Sequence, residues 1–157
     1  PYVSISSIGL GYARDQVGHS LDGFGFLAPR LEGMRTLGVL FSSTLFDGRA
    51  PQGHVLLTAF IGGAHDAPAA DLPTDMIFEL VEADLAVALN IKGPPAYRRI
   101  SRYARAIPQY SLGHLDRMDE VDRRLEPFAG LYLRGNWRDG ISVADCVRAG
   151  EKLANRI

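Results

Sequence analysis

Cysteine is nearly absent from this chain of 157 residues: Cys146 stands alone. A lone thiol excludes an internal disulfide framework and fits a reducing compartment. No apolar run approaches the roughly 18 residues that a membrane-spanning helix needs. The formal net charge of −1 supplies no field to recruit nucleic acid or an acidic membrane surface, so no nucleic-acid partner is expected. The first residues, PYVSISSIGLGYARDQ, lack a basic segment followed by an apolar core, and so do not read as a signal peptide. They also lack an initiator Met and enter directly on strand-like alternation, which reads as a piece of something longer. The four histidines, His19, His54, His65 and His114, show no paired-ligand spacing, and no metal site is expected. G-x-S-x-G and G-x-x-x-x-G-K-[ST] are missing. The pairs Gly9/Gly11 and Gly23/Gly25 are followed by polar or strand-like sequence, not by the helix of a dinucleotide fingerprint.

What is present is a change of period along one domain's worth of chain. Residues 2–12 alternate as a strand with a slip of parity, Val3 and Ile5 on one side and Ile8 and Leu10 on the other. GFGFLAPR (23–30) suits a strand close to a flat neighbour, ended by Pro29. LGVLFSSTLF (37–46) reads as a buried strand, and HVLLTAFI (54–61) as the next, so an antiparallel meander is expected. Ile77, Leu80, Val81, Leu85, Ala88 and Leu89 then recur at helical spacing, predicting a helix over about 74–90 capped by Thr74. YRRISRY (97–103) alternates as a half-exposed strand, and 106–110 reads as a compact turn. Leu115, Met118, Val121, Leu125 and Phe128 mark a charged-faced helix. The chain is organised around 131–150, LYLRGNWRDGISVADCVRAG: a short strand at 131–133, a Gly-Asn turn, a loop closed by Gly140, and a helix opening at Ser142. A strand leading through glycine to a helix start frees backbone N–H groups and the positive end of the dipole for an anionic group. A strand and helix that only complete a domain would look the same.

Other candidates carry two readings each. Cys146 lies near that helix start, where a thiolate is stabilised, yet it also belongs to an apolar stripe with Val143 and Val147. Arg98, Arg99, Arg102 and Arg105 form either a solvated strand face or a set of carboxylate and phosphate partners. Phe24, Phe26, Leu27, Leu40, Phe41 and Phe60 form either a core or the wall of an apolar pocket for a large planar ligand.

Four segments in order and spacing carry a family resemblance: DGFGFLAPR (22–30), TLGVLFSSTLFDGRAPQGHVLLTAFIGGAHD (36–66), RAIPQYSLGHL (105–115) and GLYLRGNWRDGISVADCVRAG (130–150). Together they resemble the C-terminal third of the oxygen-dependent protoporphyrinogen oxidases, FAD-containing members of the amine-oxidase superfamily. The resemblance implies that the amino-terminal, dinucleotide-binding half is absent from this chain. It further implies an FAD enzyme that uses O₂ to take six electrons from protoporphyrinogen IX, giving protoporphyrin IX and hydrogen peroxide in haem biosynthesis. The flavin carries the redox chemistry and no protein acid or base is obligatory, so no catalytic side chain is assigned. Related enzymes act on coproporphyrinogen III, and a non-catalytic tetrapyrrole-binding module that has lost its nucleotide-binding half is the alternative of another class.

Carried over residue by residue, the resemblance assigns Ile141, Ser142, Val143, Gly135, Asn136 and Tyr103 to the cofactor, and Leu27, Leu40 and Phe60 to the substrate. Tyr103 stands where many relatives have Trp. Arg134 and the run Trp137-Arg138-Asp139 are bulkier and more charged than the family's usual residues around Gly-Asn. The fold expected is α/β (α+β). Residues 1–104 would hold part of a substrate-binding domain, a mixed and largely antiparallel sheet plus the long helix. Residues 105–157 would supply the C-terminal strand and helix of an FAD-binding, Rossmann-like domain. Expected partners are the porphyrinogen, O₂ and the missing half of the same protein, with a second copy in a homodimer and peripheral membrane contact as further expectations. The expected location is the cytoplasm.

Overall fold

The computed structural model describes residues 1–157 and divides into two units. The larger is 3–106, and the smaller comprises 1–2 and 107–157. The architecture is mixed α and β, as expected, with four helices and a five-stranded sheet. The strands are β1 (Tyr2–Ala13), β2 (Gly25–Leu27), β3 (Thr36–Leu40), β4 (His54–Gly62) and β5 (Tyr97–Pro108), in the order β2-β3-β4-β1-β5. Pairings β2/β3, β3/β4 and β1/β4 are antiparallel. The expected meander is thus found in β2-β3-β4, and β1 adds on the far side of β4.

Alternation decides which side of the sheet is covered. Ile8, Leu10 and Tyr12 of β1 share a face with Ala59, Leu57 and Val55 of β4, and all are buried. Helix α2 (Thr74–Leu89) lays Ile77, Val81, Leu85 and Leu89 into the same core. Burying such side chains is worth about 2 kcal/mol each. The opposite parity of β1 is Ser7, Gly9 and Gly11, with no bulk to build a second core. The parity slip expected in β1 is absent, because its pairing with β4 runs unbroken from Ile5 to Ala13. The irregularity is in β3, between Thr36 and Gly38, where the Thr36 N–H donates to the Asp84 carboxylate of α2 at 2.9 Å.

Three local expectations change. The stretch 37–46 is not one strand: β3 ends at Leu40, and α1 (Ser42–Leu45) is a single helical turn. Its serines hydrogen-bond sideways, Ser43 Oγ accepting from Leu56 N at 3.0 Å and Ser42 Oγ meeting Thr58 Oγ1 at 2.7 Å, which competes with a strand ladder. Thr74 is the first residue of α2 and not its cap; its hydroxyl accepts from Arg102 at 3.0 Å. The residues expected to turn at 106–108 continue β5.

In the smaller unit, α3 (His114–Leu125) and α4 (Val143–Ala154) bury no residue fully. The strand expected at 131–133 does not form: these residues carry no regular secondary structure.

Candidate functional site

Two surfaces collect the residues singled out in the sequence, one in each unit. In the larger unit it is the sheet face that α2 leaves uncovered. Register places Leu27, Gly38, Phe60 and Ser7 in one row across β2-β3-β4-β1, and Gly25, Leu40, Thr58 and Gly9 in the next. Leu27, Leu40 and Phe60 therefore share one face in adjacent rows, and none is in the core. Leu27 is 85% exposed. Gly38 keeps the row flat: a Cβ there would lie 2.6 Å from the Phe26 carbonyl oxygen and 2.9 Å from Leu27 Cδ2. Leu27 thus leans over a position where no other residue fits.

β5 extends this face. Its Tyr97 lies across Gly11 and Gly9, and Arg99 stands beside Gly9. Alternation brings Ser101 and Tyr103 to the same side, with Tyr103 54% exposed. The intervening residues turn to the helix. Arg98 holds Glu82 through two hydrogen bonds of 2.7 Å, which raises its pKa, and Arg102 donates to Ala70 O, Leu72 O and Thr74 Oγ1. The arginine run thus splits. Arg98 and Arg102 fasten helix to strand, while Arg99 is exposed on the open face with neither a hydrogen bond nor an ion pair.

In the smaller unit the loop 135–140 leads into α4. Ser142 caps the helix, its Oγ accepting from Asp145 N at 3.0 Å and donating to Asp145 Oδ2 at 2.6 Å. Such a cap contributes about 1 kcal/mol. The Ser142 hydroxyl, and after it Arg148, hold the Asp145 carboxyl below the usual carboxylate range. The N–H groups of Val143 and Ala144, at the first turn, have no backbone or side-chain acceptor. Ile141 and Val143 beside them are exposed. The arrangement offers free N–H donors rimmed by apolar side chains, with an ionised carboxylate already using part of the dipole. That suits the carbonyl edge of a flat ring better than a fully charged phosphate.

The charges of the loop are matched, partly within the loop and partly by α3. Arg134 pairs with Asp139 at 2.9 Å, and Asp139 also accepts from Gly135 N at 3.1 Å. Arg138 pairs with Asp122 at 2.8 Å, which lowers the Asp122 pKa. Arg134 and Asp139 thus close the loop on itself, while Arg138 fastens it to α3. Asn136 presents its carbonyl to the Tyr110 hydroxyl at 2.6 Å. Gly140 has φ +114, and a Cβ on it would come within 2.6 Å of Asp145. Only glycine fits where the loop enters the helix. Cys146 is half-buried, with Sγ 3.7 Å from Gly140 O, as a packed thiol would be.

The structure thus brings together Leu27, Leu40, Phe60 and Tyr103 on one sheet face. It brings Gly135, Asn136, Ile141, Ser142 and Val143 together around one helix start. Tyr103, assigned to the cofactor by resemblance, lies on the sheet face that also carries Leu27, Leu40 and Phe60. Tyr110 and the split of the arginines carried no role in the sequence; only strand parity could have hinted at the second. No cluster of three or more His, Cys, Asp or Glu is arranged to hold a metal. No helix is long and apolar enough to cross a membrane.

The family model of the flavin-containing amine oxidoreductases matches residues 1–157. The chain belongs to that family. It is 33% identical over 159 residues to the mitochondrial protoporphyrinogen oxidase of Nicotiana tabacum, covering 99% of this chain and 32% of that protein. It is 29% identical to the coproporphyrinogen III oxidase of Bacillus subtilis, covering 94% of this chain and 32% of that one. This flavin-family chain spans about a third of the length of the curated relatives it matches. The fold also matches the crystal structure of reduced UDP-galactopyranose mutase, with a TM-score of 0.68 at 17% identity over 100% of this chain and 34% of that one. Flavin is the cofactor the family brings, and FAD the form expected from the sequence.

Proposed function

We propose that this chain is part of an FAD-dependent oxidase that converts protoporphyrinogen IX to protoporphyrin IX with O₂. The observation that carries the reading is the gathering of Leu27, Leu40 and Phe60 on one open sheet face floored by Gly9, Gly25 and Gly38. Neighbouring strands lie about 4.8 Å apart, so Leu27 and Phe60 stand roughly 10 Å from each other, a spacing suited to a broad, nearly flat macrocycle. The glycines let such a ring approach the backbone, and the leucines and Phe60 bury its apolar surface. Arg99, the unpaired cation of this face, meets a propionate carboxylate; Tyr97 and Tyr103 complete the wall.

The free N–H groups of Val143 and Ala144 and the apolar side chains of Ile141 and Val143 would hold the isoalloxazine. When bound, FAD would supply the hydride acceptor, with O₂ as the final oxidant. The chain's own contribution is to bind, orient and keep water from the reacting faces. The donors at the start of α4 stabilise charge that develops on the ring's polar edge. Coproporphyrinogen III, with more propionates, is the second substrate considered, supported by the Bacillus subtilis relative. The single cysteine fits a reducing compartment. Side-by-side assays of the full-length protein on the two porphyrinogens test the reading. Faster turnover of protoporphyrinogen supports it, and activity on coproporphyrinogen alone replaces the substrate.

A further inference from the structure

The hydroxyl of Tyr110 joins the two ends of the loop that precedes α4. It donates to Asn136 O at 2.6 Å and accepts from Gly140 N at 3.0 Å. Its ring lies flat on that of His114, with centroids 4.2 Å apart and planes 10° from parallel. His114 opens α3, and its Nε2 is buried without a hydrogen-bond partner, so stacking holds the ring there. The Ser111 N–H donates to Gln109 O and the His114 N–H to Ser111 O, at 3.0 Å each, so Tyr110 sits in a tight, braced turn. Gly140 is pinned from three sides: by Tyr110 at its N–H, by Cys146 Sγ at its carbonyl, and by Asp145 against its α-carbon.

We infer that Tyr110 is a positioning residue for the flavin. It touches no cofactor atom in this account. By fixing Gly140 it sets the direction in which the backbone enters α4, and so the aim of the Val143 and Ala144 N–H groups. Two hydrogen bonds to a single phenol make the loop one rigid piece; without them Asn136 O and Gly140 N lose their partners and the loop gains freedom. The donors then spend less time aimed at the ring edge, which matters most when the reduced ring carries negative charge there. Reduced flavin is weakened more than oxidised flavin, and the potential falls. This inference rests on the reading that the start of α4 meets the isoalloxazine.

The test uses the full-length flavoprotein, with Tyr110→Phe to keep the ring stack and remove the hydroxyl. FAD affinity of the apoprotein is measured by fluorescence quenching, and the flavin midpoint potential by anaerobic dye titration. The expected results are a rise of about three- to tenfold in the FAD Kd, the scale of one or two lost hydrogen bonds, and a more negative potential. His114→Ala, which keeps the hydroxyl and removes its brace, should shift both in the same direction by less, and is the variant read if Tyr110→Phe fails to fold. Unchanged Kd and potential in Tyr110→Phe overturn the inference, as does loss of thermal stability with an unchanged potential, which would mark a purely structural tyrosine. A wild-type protein that binds no FAD overturns instead the reading beneath it.

Discussion

Leu27 and Phe60 flank Gly38 in one cross-strand row, on the face of the sheet that α2 does not cover. Neither belongs to the core that holds the sheet together. Removing either side chain should therefore spare the fold and cost binding. Leu27→Ala and Phe60→Ala are each expected to raise KM for the porphyrinogen about tenfold, the scale of 1–2 kcal/mol of lost apolar contact. Flavin content and melting temperature should stay close to wild type. Parallel loss of flavin and substrate handling would make both residues structural.

Gly38 is predicted to be intolerant. A methyl group there meets the Phe26 carbonyl oxygen, which is backbone and cannot swing aside. Gly38→Ala should lower stability by about 1–3 kcal/mol, the cost of overpacking, and loosen β2 with its Leu27. Chemical denaturation gives the stability, and an unchanged midpoint would show that β2 is held by something other than its pairing with β3.

The two neighbouring arginines should separate cleanly. Arg99→Gln is expected to raise KM for a propionate-bearing substrate several-fold with kcat little changed, and the effect should shrink as salt rises. Arg98→Gln breaks the pair with Glu82 on the helix side and should leave KM alone. Steady-state kinetics at two ionic strengths decide it. An equal effect of the two changes would mean that the open face is not where carboxylates bind.

Acid should loosen the start of α4. The folded pKa of Asp145 is lowered by Ser142 and Arg148. Its contribution is therefore fully present above the unfolded value of about 3.9 and disappears as pH falls through the lower folded value. Amide exchange at Asp145 and Cys146, whose N–H groups bond to Ser142, should rise relative to the intrinsic rate over that acid range in the wild type. In Asp145→Asn it should already be raised near neutrality and vary little with pH. A wild-type profile that is flat down to the acid limit would show that the carboxylate does not hold the cap.

Much of this fold was legible because strand and helix periods are local. The α2 stripe of Ile77, Val81, Leu85 and Leu89 is visible in sequence and is the buried stripe found. The helix expected to open at Ser142 is found, with Ser142 as its cap. The stretch 37–46 misled because β-formers such as Leu37 and Val39 say nothing of hydroxyls bonding sideways: Ser42 and Ser43 find Thr58 and Leu56, which are distant in sequence. The short apolar run at 131–133 forms no strand, because three β-formers do not make one without a partner to pair with. For the candidate site, Leu27, Leu40 and Phe60 were identified by resemblance, and only the register shows them to share a face. Parity could have divided Arg98 from Arg99. Nothing in RAIPQYSLGHL discloses that Tyr110 closes a loop 26 and 30 residues away.

Whether this chain contributes to a flavin-dependent porphyrinogen oxidase can be read from the flavin itself. The most direct measurement is anaerobic mixing of the full-length protein with protoporphyrinogen, followed by admission of O₂. The expected result is flavin absorbance in the purified protein, bleaching on addition of substrate, and porphyrin fluorescence that grows with O₂ uptake. A flavin spectrum that the porphyrinogen fails to bleach, or a protein that binds the macrocycle without any flavin, would contradict it.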